Sequence, residues 1–494
     1  MIRLVLLLAA AAGLASCSAG SDAGALALPG LRLGEAPRAS NVVLIVSDTM
    51  RRDRMGYYGG PARTPNFDAF ARENLVFEAA YSPAPWTKPS MVTLFTSLYP
   101  SQHGLLSHPE LDDADGAVAP DPTTEALSPS FTTLAELLQR QGYRTAGFVG
   151  NPWLAREFGF AQGFETYRDE LADWDVPGEV VSREGLDWLE EVAPERPFFL
   201  YLHYMDAHRP YGRLSREEVE SERDRLAADA RPLTPLIEKA IGRLVVLEDG
   251  SSAAEAGLPA TLALLERAYD RGVERFDRAL GLFLQGFREH PAYADTAIFV
   301  VSDHGEALFE RLWGNHGGGL YEDETAIPLA ARLPGVAAGA EPLATPVSLV
   351  DLLPTLFDYL RLEIPESVPV HGRSWLAPVS EAGRLDERPL VVEGVMRLPA
   401  HRSIRLGPYK ALWQPDALDY DPRRRALFDV VGDPAESRNL LAGAHERPDG
   451  MRIYRSLVEG GSEAVAAFRP PDAPSAPLAP EVERRLRALG YLDP

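Results

Sequence analysis

Trp86-Thr87-Lys88-Pro89-Ser90-Met91-Val92-Thr93-Leu94-Phe95, running on through Thr96-Ser97-Leu98 to Tyr99-Pro100-Ser101-Gln102-His103-Gly104, is the stretch on which the fold of this 494-residue chain turns. Pro89 suits the first turn of a helix, where its missing N–H costs nothing. Val92, Leu94 and Phe95 then carry the segment into a core. Thr87 stands just ahead of this helix, where free N–H groups and the positive dipole end favour an anion. A threonine hydroxyl is a weak nucleophile until a cation lowers its pKa. The competing reading is that Thr87 only caps the helix.

Working outward, Asn41-Val42-Val43-Leu44-Ile45-Val46-Ser47 is a continuous β-branched run, the pattern of a parallel strand buried on both faces. Comparable runs occupy Arg144 to Gly150, Phe198 to Tyr204, Ala297 to Ser302, Ile327 to Leu333 and Leu390 to Val395. Helical patterns lie between them. Phe131, Leu134, Leu137 and Leu138 share one face before a C-cap at Gly142, and Val273, Phe276, Leu280 and Phe283 form another stripe. The alternation predicts an α/β fold, a large mostly parallel sheet sandwiched by helices, with ligands beyond the carboxyl ends of the strands. Leu214 to Gly250, charge-rich and broken by Pro232 and Pro235, reads as a helical insertion over the surface. Antiparallel strands are expected from Arg402 to Trp413.

Two strands end in carboxylates. The first runs into Ser47-Asp48-Thr49, and a later one into Ser302-Asp303-His304-Gly305-Glu306. A buried carboxylate meets a large desolvation penalty unless something cationic faces it. One hard or borderline divalent cation held by Asp48, Asp303 and His304 would satisfy all three. Either segment alone reads better as a turn carboxylate; together with the Thr87 stretch and the block at 427–440 near the C-terminus they read as a site.

These segments resemble the sulfatase family, within the wider alkaline phosphatase superfamily. The Thr87 stretch is similar to that family's Cys-x-Pro-Ser-Arg signature with its helix and Tyr-Pro-x-x-His-Gly turn. Leu427-Phe428-Asp429-Val430 and Asp433-Pro434-Ala435-Glu436-Ser437-Arg438-Asn439-Leu440 are similar to a block in its small C-terminal subdomain. The resemblance runs from Asn41 to Leu440 and includes the final Leu489-Gly490-Tyr491-Leu492. It implies the sulfatase-like α/β fold with a small C-terminal α+β subdomain, and a hydrolase acting on ester bonds. It implies metal ligands at Asp48, Asp303 and His304, with Thr87 as nucleophile at the same ion. It also implies that His208 and His316 serve the anion or the leaving group, as hydrogen-bond donors or general acid. A second metal held by Asp206, His208 and His316 is the rival assignment.

The departures from the family pattern carry as much weight. Thr87 fills the slot of the cysteine that becomes formylglycine, and Cys17 is the chain's only cysteine. Thr49 follows Asp48 where the family has a second acidic ligand; with His304 this moves the expected ion from Ca²⁺ toward Mn²⁺ or Zn²⁺. Met91 replaces an arginine, and Val149-Gly150-Asn151-Pro152-Trp153-Leu154 replaces a Gly-Lys-Trp-His-Leu-Gly segment, so two cationic contacts to the anion are gone. Asn151 is left as a donor to an oxyanion or as a turn residue before Pro152. Lys88 is a candidate partner for a substrate anion. In the family scheme a second hydroxyl on the nucleophile's carbon expels sulfate. Threonine has none, so its ester must be hydrolysed by water at the central atom. That argument puts a phosphate mono- or diester ahead of a sulfate ester. The alternatives are a sulfatase without formylglycine, an envelope phosphotransferase and an inactive binding protein. His203 is expected in the core on the opposite strand face and His103 as a structural turn residue. His108, His290, His371, His401 and His445 are expected at the surface.

Arg3 followed by the apolar Leu4 to Leu14 reads as a processing segment, and Leu14-Ala15-Ser16-Cys17 looks like a bacterial lipobox. Residues 1–16 are then a lipoprotein signal peptide, Cys17 is lipidated, and 17–40 form a flexible tether. The chain is expected on a membrane of the bacterial cell envelope, in the outer membrane or periplasm. Residues 41–380 are expected to form the catalytic domain and 381–460 the C-terminal subdomain. A Pro-rich linker and a terminal helix are expected over 461–494. A formal net charge of −23 disfavours nucleic acid, and the resemblance implies a small-molecule, glycan or lipid ester as the substrate class.

Overall fold

The computed structural model describes residues 32–33 and 40–488, apart from 107–122, 172–175, 192–195, 222–223, 226–227, 230, 232, 259, 312–313, 338–341, 377–387, 397–400, 414–424, 443–445 and 466–474. Cys17, the signal segment, His108, His445 and the final Tyr491-Leu492 lie outside the described residues.

Seven strands make the main sheet: β1 (Asn41–Ser47), β2 (Leu75–Val76), β3 (Arg144–Val149), β4 (Thr166–Arg168), β5 (Phe198–Tyr204), β6 (Thr296–Ser302) and β7 (Leu329–Arg332). Their order across the sheet is β2-β7-β6-β1-β5-β3-β4. The run from β6 to β4 is parallel, β7 is antiparallel to β6, and β2 is antiparallel to β7. The Ile327–Leu333 run thus supplies an antiparallel strand near one edge.

Burial on both faces explains the uninterrupted apolar runs. On one face Val42, Leu44, Val46, Phe199, Tyr201, Phe299 and Val301 pack with Met91, Val92, Leu94 and Phe95 of α1 (Thr87–Thr96). On the other, Val43, Ile45, Leu200, Leu202, Ile298 and Val300 pack with Phe276, Leu280 and Phe283 of α2 (Leu262–Glu289). Side chains alternate along a strand with period two. Positions 48, 203 and 303 are therefore in step with the α1 face, and that register aims the strand ends at the start of α1.

Four antiparallel strands, Leu390–Val392, Arg402–Leu406, Tyr409–Trp413 and Ala426–Asp429, form a second sheet in that order. Helix Gly450–Val465 covers it, with Tyr454 and Leu457 on Ile404, Ala411, Trp413 and Leu427. Buried Lys410 fastens this sheet to the larger body, its Nζ 3.1 Å from Glu322 Oε1 and 3.0 Å from Glu436 Oε1. The terminal helix Pro480–Ala488 returns to the large core through Val482 and Leu486. The Leu214–Gly250 insertion is less superficial than its charge suggests. Its strand Val245–Leu247 pairs with Tyr211–Leu214, and Ile241, Val245 and Leu247 join the α2-side core.

Candidate active site

β1 and β6 are neighbours whose last residues, Ser47 and Ser302, are paired, so Asp48 and Asp303 emerge side by side. Asp303 Oδ1 accepts the N–H groups of Thr49 (3.2 Å) and His304 (2.8 Å). Thr49 achieves this at φ 57°, a left-handed conformation rare for a β-branched residue. His304 Nδ1 donates to the Gly305 carbonyl at 2.9 Å, which makes Nε2 the lone-pair nitrogen. That Nε2 lies 3.6 Å from Asp48 Oδ1 and 3.4 Å from Asp303 Oδ2. Both oxygens are buried without a hydrogen-bond partner.

Two orphaned carboxylate oxygens and an imidazole lone pair thus converge, their ligand atoms all within 4.8 Å of one another. Burial pushes Asp48 up to about 7 and, with the neighbouring Asp48 charge, raises Asp303 well above the carboxylate range. Burial and nearby His316 hold His304 well below the usual histidine range. The missing element is positive charge, and the donor set fits one divalent cation. Among the described residues no other cluster of this kind forms.

Thr87 is the first residue of α1, and the cap position belongs to Trp86, which supplies no side-chain cap. The capping reading therefore fails, and the hydroxyl is turned to the cluster. Thr87 Oγ1 lies 3.2 Å from His304 Nε2 and donates to Asp48 Oδ2 at 3.4 Å. Asn151 is the turn residue expected before Pro152, and its amide nitrogen is directed to the cluster. Its Oδ1 accepts the Trp153 N–H at 2.8 Å within the turn, while Nδ2 donates to Asp48 Oδ2 at 2.5 Å and to Thr87 Oγ1 at 3.3 Å.

His208 and His316 come together as expected, with ring centres 5.1 Å apart, and His316 stands 4.6 Å from the His304 ring. Among the described residues Asp206 does not join His208 and His316 as the rival second metal requires. Asp206 turns away to the Gly178 N–H (3.3 Å) and Arg275 (3.4 Å), and His316 Nδ1 is 2.9 Å from Glu306 Oε2.

Two expectations need correction. His203 does not face the opposite side of the sheet: in step with Tyr201, it places Nε2 3.7 Å from Asp48 Oδ2, fully buried and with neither ring nitrogen hydrogen-bonded. Lys88 is not turned to this cluster. Its ammonium donates to Thr124 Oγ1 (2.7 Å) and the Glu125 carbonyl, and lies over the Trp153 and Phe158 rings. His103, bonded to Thr93 Oγ1 and the Pro89 carbonyl at 3.2 Å and pushed by burial to about 3, is structural as expected. His290, His371 and His401 are half-buried.

Glu306 and Tyr211 escaped the sequence reading. Glu306 is fully buried, accepts Tyr211 Oη at 2.6 Å on Oε1, and faces His316 on Oε2. The available signal was its place two residues beyond His304, at the end of the same strand.

The sulfatase family model matches residues 40–362, and the chain belongs to that family. Human N-acetylgalactosamine-6-sulfatase is 24% identical over 89% of this chain and 89% of its own length. A solved protein in complex with its substrate D-glucosamine-2-N,6-O-disulfate superposes with a TM-score of 0.65 at 18% identity, over 88% of this chain and 99% of that one. Phosphonate monoester hydrolase of Agrobacterium radiobacter gives a TM-score of 0.61 at 20% identity, over 86% and 96%. At these identities the solved structures speak for the fold. Family and cluster together define a sulfatase-family hydrolase with a candidate metal-binding site.

Proposed function

We propose that this protein hydrolyses sulfate esters of a glycan or small molecule, with Thr87 as the nucleophile in the place of formylglycine. The observation that carries the nucleophile is the Thr87 hydroxyl, 3.2 Å from His304 Nε2 and 3.4 Å from Asp48 Oδ2 at the head of a helix. Threonine chemistry alone puts a phosphate ester first; relatives named as sulfatases of several substrates reverse that order.

Asp48, Asp303 and His304 would hold the divalent cation, which when bound neutralises the carboxylates and draws down the pKa of a nearby hydroxyl. Thr87 Oγ1 attacks sulfur while its proton passes to Asp48 Oδ2. The bond from sulfur to the leaving oxygen breaks, and that oxygen keeps the electron pair and takes a proton from the His208/His316 side. Water then attacks sulfur, giving up a proton to the histidine that supplied one to the leaving group, and the Oγ1–S bond breaks. Oγ1 recovers its proton from Asp48 Oδ2 and sulfate is released. Asn151 donates to the Thr87 oxygen and keeps its lone pairs aimed.

The second reading, a phosphate or phosphonate ester, is favoured by the single hydroxyl of Thr87 and by Met91 and Asn151 in place of cations. The test is turnover of 4-nitrophenyl sulfate, 4-nitrophenyl phosphate and a nitrophenyl phosphonate with Mn²⁺, Zn²⁺ or Ca²⁺, with intact-mass analysis for a sulfo adduct on Thr87. Turnover of the sulfate supports the proposal. Turnover of the phosphorus esters alone transfers the assignment to the second reading, and no turnover of any would sink both. Attachment to the cell envelope through a lipidated Cys17 belongs to the same proposal; a Cys17→Ser chain that stays in the membrane fraction would remove it.

A further inference from the structure

We propose that Glu306 is the positioning residue for the leaving-group side of the site, one carboxylate that orients His316 directly and the His208 segment through Tyr211. The chemical consequence rests on the sulfate-ester reading; the geometry does not.

Glu306 is held at three points. Oε2 meets His316 Nδ1 at 2.9 Å, Oε1 accepts the Tyr211 hydroxyl at 2.6 Å, and its backbone carbonyl accepts Arg51 Nη1 at 2.9 Å. Arg51 is itself buried and tied to Asp53 at 2.8 Å. Tyr211 opens the strand Tyr211–Leu214, three residues beyond His208, and its ring meets Tyr269 edge-on at 5.8 Å. Tyr269 in turn donates to the Thr49 carbonyl at 2.6 Å, directly after Asp48. One carboxylate therefore ties together the end of β6, the segment after β5 and the loop carrying His316.

The backbone around His316 gives little orientation of its own. It follows a two-residue strand, Gly314–Asn315, with Asn315 at φ 95° and Gly317 at φ 75°. The ring stands between His304 and His208, at 4.6 and 5.1 Å. Engaging Nδ1 sets both the rotation of an imidazole and which of its nitrogens serves the opposite edge. A fully buried carboxylate is costly wherever apolar packing would do. Its presence here, with both oxygens spent on the Tyr211 and His316 side chains, matches a positioning role.

The test uses the full chain loaded with Ca²⁺ or Zn²⁺, as wild type, Glu306→Gln, Glu306→Asp and Tyr211→Phe. The first readout needs no turnover: ring-¹⁵N histidine NMR, with His316→Gln assigning the resonance. A single His316 protonation form, with Nδ1 engaged by Glu306, is expected in wild type, and an altered or averaged one in Glu306→Gln. Unchanged His316 nitrogen shifts overturn the proposal. The second readout compares kcat for 4-nitrophenyl sulfate with kcat for phenyl sulfate, whose leaving group needs a proton more. Glu306→Gln is expected to lose at least 10-fold more rate on phenyl sulfate, and an equal loss on both overturns the proposal. Where Glu306→Gln does not fold, Tyr211→Phe and Glu306→Asp carry the same comparison and are expected to shift it in the same direction. Wild-type protein that turns over neither sulfate ends the sulfate-ester reading, while the NMR readout still decides Glu306.

Discussion

Ser90 Oγ donates to the backbone carbonyl of Asp303 at 2.7 Å, both groups buried, and so fastens the first turn of α1 to the end of β6. The helix that begins at Thr87 is thus tied directly to the strand end that carries Asp303. Ser90→Ala is expected to cost about 1 kcal/mol in urea unfolding, with the carbonyl of Asp303 left unsatisfied. It is expected to lower kcat more than it raises KM. An unchanged kcat would show that α1 is positioned by packing alone.

Thr87→Ala is expected to lose at least about 1000-fold in kcat while remaining folded, because the reacting oxygen is removed together with the methyl group. Thr87→Ser keeps that oxygen and is expected to keep measurable turnover. Equal loss in both variants would point to the methyl group, and so to packing.

Chelation is expected to abolish turnover and lower the melting temperature. Excess cation at 100 times its Kd stabilises by about 2.7 kcal/mol. Asp303→Asn removes one of two buried carboxylates left facing each other without the ion. Its metal-free form is therefore expected to melt no lower than metal-free wild type, and its response to added cation to vanish. Thermal unfolding with and without cation checks both.

Lys88 offers a pH test. Burial pushes its ammonium down to about 7 from an ordinary 10.5. The folded pKa is the lower one, so between those values the unfolded chain binds more protons and stability rises with pH, by up to about 1.4 kcal/mol per unit. Below pH 7 both states are protonated and the penalty is constant. Lys88→Met removes the slope, so its advantage over wild type is expected to be largest near neutrality and to shrink toward pH 10.5. Urea titrations at several pH values measure it, and a constant difference would mean the ammonium stays charged.

Lys410→Met leaves Glu322 and Glu436 facing each other in a buried junction. A loss of about 3–5 kcal/mol is expected. Proteolysis is expected to release the C-terminal sheet first; resistance equal to wild type would assign the docking to apolar contacts.

Much of this was legible in the chain. β1, β5 and β6 were readable because a strand buried on both faces has to be apolar at every position. Asp48, Asp303 and His304 stood out because polar residues end such strands only where something meets them. The direction of Lys88 was not readable. A first-turn lysine can reach either side, and the strand Thr123–Glu125 that captures it becomes a neighbour only after folding. His203 was misplaced by one step of a two-residue alternation, since no local pattern tells which face of a doubly buried strand looks toward the site.

The order of residues by itself determined the strands, the carboxylates at their ends and Thr87 at the start of a helix, because each follows from local periodicity and the cost of burying charge. Tertiary structure alone decided which groups share a site. Asp48 and Asp303 meet because β1 and β6, 255 positions apart at the paired Ser47 and Ser302, are neighbours in the sheet. Glu306 meets Tyr211 and His316 only once β5, β6 and their loops are packed. Contacts between distant segments depend on register and layer packing, which no short stretch of sequence encodes.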